Sequence, residues 1–168
     1  MAWTAPRTWL AGEKPTAATF NLEVRDNLLF LKDSLGGAHI NYKQLTVNTP
    51  LTGAITKITN LTPVDVGADI THAAGDFTVA KAGVYVCSVS LAFVANATGT
   101  RNVYIYVNGV GVGLTTSAGT TSVYLALSKT FRLAANDVVA MYGFQNSGAG
   151  LNTIADYNTA ITLTRIGA

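Results

Sequence analysis

At 168 residues the chain has room for one domain of ordinary size and a short appendage, and it is 49% hydrophobic with only 12% charged residues. About a quarter of residues are usually charged, so this is no disordered tail, and so sparse a charge implies a surface partly covered by other protein. The formal net charge of +2, from 11 basic and 9 acidic groups with no run of one sign, offers no phosphate-binding patch, so no nucleic acid partner is expected.

The opening MAWTAPRTWLAGEK lacks an uninterrupted apolar run and is not expected to be a signal peptide. Both tryptophans, Trp3 and Trp9, and both glutamates, Glu13 and Glu23, lie in this first part. Pro15-Thr16 is a helix opening. Phe20, Val24, Leu28, Leu31 and Leu35 follow at spacings of three and four, one apolar stripe of an amphipathic helix. Gly36-Gly37 supplies its stop and the boundary between an arm with helix (1–36) and the remainder (37–168). Leu22, Leu29 and Phe30 lie off the stripe. The helix either packs on its own domain or grips another chain, and the extra apolar surface favours the second.

Beyond residue 37 the chain turns to Thr, Val, Ala and Gly, and the hydrophobic period drops to two. Strands are expected over 40–47, 54–61, 76–79, 84–95, 101–108, 121–131, 137–144 and 159–166, with turns at Asn108-Gly109, Ala118-Gly119, 135–137 and 146–148. That punctuation predicts an all-β antiparallel sandwich, jelly roll or barrel. From 84 to 95, Tyr85, Cys87, Val89, Leu91 and Phe93 share one face; Val103, Ile105 and Val107, then Val123, Leu125 and Leu127, do the same in later strands. The opposite faces hold Tyr104, Tyr106 and Tyr124 among small residues with almost no charge. Sandwich strands normally present a polar face to water, whereas interface centres are depleted in charge and rich in tyrosine. These three tyrosines are therefore the expected contacts of an oligomer, set against the plainer reading of exposed sheet-face residues.

No catalytic constellation emerges. The only histidines are His39 and His72, without a Gly-x-Ser-x-Gly elbow. His72, near Asp69 and Asp76, reads as surface decoration in a loop. Asp65, Asp69, Asp76, Asp137 and Asp156 each adjoin a turn, where Asp bonds its own backbone, and Asp65 with Asp69 lacks the ligand spacing of a calcium loop. Gly109 to Gly113 lies between strands and reads as a hairpin rather than a phosphate cradle. Cys87, the single cysteine, excludes a disulfide within the chain and reads as a core thiol. No enzyme activity, metal or cofactor is expected. The longest uncharged apolar stretch, 83–97, is broken by Ser88 and Ser90 and too short for a helical span, so no membrane partner is expected.

Two resemblances add to this. Trp9, Gly12-Glu13, Thr16-Ala17, Asn21 and Arg25-Asp26-Asn27-Leu28 resemble the N-terminal segment of many tailed-bacteriophage virion proteins. In those proteins the segment precedes a variable β-rich domain and attaches it to the particle. Gly75-Asp76-Phe77, Gly83-Val84-Tyr85, Ser88-Val89-Ser90, Val107-Asn108-Gly109, Leu133 to Val138 and Ala160 to Ile166 resemble, in order, the trimeric jelly roll of tumour necrosis factor and complement globular heads. Asn136-Asp137 stands where Gly-Asp is usual, and the Phe-Gly ending of the last strand is missing.

The resemblances imply a homotrimeric TNF-like jelly roll on a virion surface, made in the host cytoplasm and serving as capsid decoration, cement or a short fibre. Trp3, Trp9, Phe20, Val24, Leu28 and Leu31 would anchor it to a major capsid or tail protein. The alternative is a minor tail adhesin that binds host-surface glycan through the loops 96–101, 114–121 and 145–153, though those loops carry no aromatic residue.

Overall fold

The computed structural model describes residues 8, 10–14, 16–29, 31, 38–44, 47–119, 122–156 and 158–167. Thr16 opens the helix as expected: its Oγ1 accepts the Thr19 N–H at 3.2 Å. α1 (Ala17–Phe20) then widens into a π-helical stretch over Asn21–Asp26, and α geometry resumes at 27–29 and at 31. The wider turn rotates later residues away from the continuous 3.6-residue stripe that the spacing predicts. Pro15, Leu35, Phe30 and the Gly36-Gly37 boundary lie outside the described residues.

Thirteen strands follow among the described residues. They are β1 (His39–Lys43), β2 (Pro50–Leu51), β3 (Thr56–Lys57), β4 (Thr62–Val66), β5 (Ile70–Ala73), β6 (Asp76–Val79) and β7 (Gly83–Phe93), then β8 (Thr100–Val107), β9 (Val110–Ala118), β10 (Val123–Leu133), β11 (Val138–Gln145), β12 (Leu151–Asn152) and β13 (Ala160–Gly167). A five-stranded sheet runs β10-β7-β13-β1-β4. A second sheet runs β5-β6-β11-β8-β9, with β3 lying along β11 beyond the end of β6, and β2 pairs separately with β12. Every pairing is antiparallel.

The core sits between the two large sheets, where the alternation placed it. Tyr85, Cys87, Val89, Leu91 and Phe93 on β7 are 2% exposed or less, and Val103, Ile105, Val139, Met141, Phe77 and Val79 close over them from the other sheet. Each such buried side chain contributes about 1.5–3 kcal/mol relative to exposure. At one margin the edges β9 and β10 meet. The Leu127 side chain seats over Gly113, and the Lys129 ammonium donates to the Val112 carbonyl.

Two expected strands shrink. The one over 40–47 is the strand His39–Lys43, after which Gln44 keeps one backbone bond to Thr159 while its side chain enters a buried polar network. Its Nε2 donates to Thr49 Oγ1 at 2.7 Å, and Thr153 Oγ1 donates to its Oε1 at 2.5 Å. The one over 54–61 reduces to β3, since the chain turns between Thr59 and Leu61. β4 was not expected: all five of its residues are exposed, so no alternation marks it, and Pro63 suits its place at a sheet edge.

The two-residue hairpins are Ala74-Gly75 (φ 49° and 83°) between β5 and β6, and Asn108-Gly109 (φ 50° and 77°) between β8 and β9. Both residues of each turn are left-handed, which matches the strand twist. A Cβ at Gly75 would lie 2.5 Å from the Ile58 carbonyl oxygen, whereas one at Gly109 would meet nothing within 4 Å. Gly75→Ala should therefore cost at least about 2 kcal/mol and Gly109→Ala only about 1 kcal/mol. Urea midpoints at unchanged m-value measure both; equal losses would contradict the steric account.

Candidate functional site

Four surfaces stand out once the sheets are in place. The first is the N-terminal helix. Phe20, Val24, Leu28 and Leu31 are all exposed, Leu28 at 60%, and no strand packs substantially on Ala17–Asp26 among the described residues. Trp3 and Trp9 lie outside the described residues.

The second is the outward face of the five-stranded sheet. Register sets Ala126 beside Ser90 and Ser90 beside Ala160, and in the next row Ser128 beside Ser88 and Ser88 beside Thr162. Ser88 and Ser128 share a hydrogen bond at 2.8 Å. These small side chains line a shallow depression free of charge. Tyr124 stands at one end of the face, 58% exposed.

The third is the outward face of the other sheet, which holds Tyr104 and Tyr106. Their rings meet edge-on at 6.0 Å, and Tyr106 packs on Tyr142 at 4.3 Å. The three tyrosines expected at one contact thus divide between two sheets. Tyr142, which belongs with Tyr104 and Tyr106, was not singled out from the sequence, though the alternation of 138–145 places it on the outward side.

The fourth is the loop cluster at one end of the sandwich. The segments 96–101, 118–119 and 145–150 do come together. Gly119 N–H donates to the Gly99 carbonyl at 2.7 Å, and Thr100 N–H donates to Asn146 Oδ1 at 2.5 Å. Arg101, fully buried, organises them. Its guanidinium donates to the carbonyls of Thr98 (2.9 Å), Thr100 (3.0 Å) and Asn96 (3.0 Å), while Nε has no partner. Beside it, buried Gln145 donates to the Leu51 and Ala149 carbonyls. An arginine bonded to three carbonyls and no carboxylate holds a loop crossing together, and the sequence alone gave no sign of it.

The titratable groups are dispersed. Asp65 pairs with His39 at 3.3 Å, Asp69 with Lys81 at 2.9 Å and Asp76 with Lys57 at 2.7 Å. Asp137 caps its own turn through the Ala134 N–H, and Asp156 accepts from Asn158. No three metal-ligating side chains of the His, Cys, Asp and Glu type converge among the described residues. Burial pushes the Cys87 thiol up to about 12. His72 is not the surface decoration expected of it. Its ring stacks on Phe77 (4.7 Å) and lies 4.5 Å from Tyr42, and its Nε2 accepts the Gly75 N–H at 3.1 Å. Burial lowers its pKa from the ordinary histidine value, against the opposing pull of the Asp76 carboxylate. Among the described residues no helix is long and apolar enough to cross a membrane.

This arrangement of sheets is a TNF-like jelly roll. The chain is similar to Eiger TNF from S. frugiperda (11% identity, TM-score 0.65, 77% of this chain and 92% of that one) and to murine APRIL (12%, 0.64, 77% and 98%). It is also similar to the PRD1 vertex protein P5 (16%, TM-score 0.58, 77% and 95%). In sequence it is 33% identical over 122 residues to the uncharacterized protein L688 of Acanthamoeba polyphaga mimivirus, a match covering 66% of this chain and 52% of that protein. The chain thus spans about half the length of the curated relative it matches. No protein-family model matches it.

The His72 geometry has a pH signature. Because its folded pKa lies below the unfolded value near 6.5, the unfolded chain takes up the proton first as pH falls. The His72 contribution is present above pH ~6.5 and is lost progressively below it, down to the folded pKa. Unfolding free energies at pH 7.5 and 5.5 should differ less in His72→Phe than in the wild type; equal differences would refute a neutral, packed His72.

Proposed function

We propose that this chain is a structural component of a tailed-bacteriophage virion. It is a homotrimeric decoration, cement or short fibre, attached through residues 1–36 to a major capsid or tail protein and displaying residues 37–168 on the particle surface. The observation that carries this reading is the exposure of Phe20, Val24, Leu28 and Leu31, with no strand packed substantially on Ala17–Asp26 among the described residues. Exposed apolar side chains of this size are unfavourable in water and favourable in a groove of another protein. The resemblance of residues 9–28 to virion attachment segments, the fold shared with a viral vertex protein, and the mimivirus relative all support it. The work done is binding by buried area, which needs no reacting group.

In this reading the trimer closes through the small-residue face of the five-stranded sheet, with Tyr124 at its rim. A threefold contact joins two different patches of neighbouring copies. The outward faces of a sandwich point away from each other, so a contact joining the Tyr124 face to the Tyr104 and Tyr106 face would stack copies in an open row. A closed ring instead sets one sheet face against the margin of the next copy. Ser88, Ser90, Ala126 and Ser128 permit that close approach, because they carry little side-chain bulk and no charge. Tyr104 and Tyr106 then remain outside the contact.

Deletion of residues 1–33 should leave a folded trimer that no longer loads onto particles, scored by light scattering and by particle sedimentation; normal loading would remove the anchor. Ser90→Glu should desolvate a charge in the contact and give monomer or aggregate in light scattering. A stable Ser90→Glu trimer would move the interface elsewhere.

A further inference from the structure

Tyr104, Tyr106 and Tyr142 form a continuous aromatic surface on the second sheet. Tyr104 and Tyr142 are direct cross-strand neighbours, and Tyr106 reaches the Tyr142 ring diagonally at 4.3 Å. All three are half-buried, and their neighbours hold them in place. Asn102 Nδ2 donates to the Tyr104 hydroxyl at 2.8 Å, which leaves the phenol proton free to donate outward. Lys57, paired to Asp76, stands with its Nζ 5.9 Å from the Tyr142 ring centre. On the other side the strand falls away. Gly111 lies opposite Tyr106, where a Cβ would touch the ring at 3.5 Å. The result is a hollow of about 360 Å³ lined by Tyr104, Tyr106, Gly111, Val112, Gly113 and Leu114.

We propose that this hollow and the tyrosine surface beside it are a binding site for a neutral saccharide. A pyranose ring has an apolar C–H face and a hydroxyl edge. The apolar face fits flat on the negative face of an aromatic ring. Its hydroxyls meet the Tyr104 phenol at the margin of the hollow. The rings are already fixed by their packing, so binding immobilises little that was free.

Other occupants fit less well. A protein interface uses about 20–30 residues a side, more than this six-residue hollow offers. A lipid or drug-like ligand needs about 70–90% enclosure, and the site is shallow. A phosphate needs uncompensated positive charge, and Lys57 is paired at 2.7 Å. The site therefore differs in place from the loop cluster at the end of the sandwich, whose Arg101 and Gln145 are turned inward. Its accessibility rests on the proposed trimer leaving this sheet uncovered.

The full chain is applied to an array of neutral gluco-, manno-, galacto- and N-acetylglucosamine oligosaccharides, and the strongest binder is titrated by calorimetry. Saturable binding that weakens about tenfold in both Tyr106→Ala and Gly111→Val, and is unchanged in Thr71→Ala on the far edge strand of the same sheet, establishes the site. Gly111→Val fills the hollow without removing a core ring, and urea unfolding of both variants confirms that they fold. Light scattering runs alongside. A monomer that still binds sugar keeps the site and loses the trimer. No binding to any neutral series, binding confined to sulfated sugars, binding unaffected by either variant, or a changed oligomeric state in either variant would each overturn the proposal.

Discussion

Tyr85, Cys87, Val89, Leu91 and Phe93 lie in one line along β7, almost wholly removed from water, and the strand period of two then decides what every neighbouring position faces. With those five turned inward, Ser88 and Ser90 must point outward. The antiparallel register carries the same division to Ala126 and Ser128 on β10 and to Ala160 and Thr162 on β13. A slip of one residue would exchange the core for this small-residue face and leave serines between the sheets. The burial of one row thus fixes the small-residue face through which the trimer is proposed to close.

Much of the sandwich was legible for the same reason. β7 and β13 alternate along most of their length, and β8, β10 and β11 over part of theirs, so most of their inward and outward sets follow directly. Asn108-Gly109 was legible because only left-handed residues join strands this tightly. Asn136, where the resembled family has glycine, adopts φ 71°, so the substitution keeps the turn, as asparagine tolerates that region. The short elements were not legible. β2 and β12 pair across about a hundred residues of chain with two residues each, and β4 lies exposed at an edge without alternation. The π-helical turn after Phe20 leaves the spacing of apolar residues unchanged in the sequence while changing their directions.

The candidate surfaces were legible unevenly. The tyrosines on β8 follow from local spacing alone, as does the apolar character of the helix, though not the directions of its residues. What spacing cannot tell is which sheet a strand joins, and that is what separates Tyr124 from Tyr104 and adds Tyr142 to the latter. Arg101 and His72 share another kind of silence. A single arginine among Thr and Asn, or a histidine between a strand and a turn, looks solvated until the partners from distant segments are known. For Arg101 these are three carbonyls; for His72 they are two aromatic rings and a backbone N–H.

The sulfur of Cys87 is sealed in the core, with its thiol pushed up to about 12. At neutral pH almost none of it is thiolate, the species that attacks electrophiles. The molecule is therefore chemically silent toward maleimides and iodoacetamides while folded, although its sequence contains a cysteine. A second cysteine introduced at any outward position would be the sole reactive handle, so fluorophores, spin labels or crosslinkers can be installed singly without first removing the native residue.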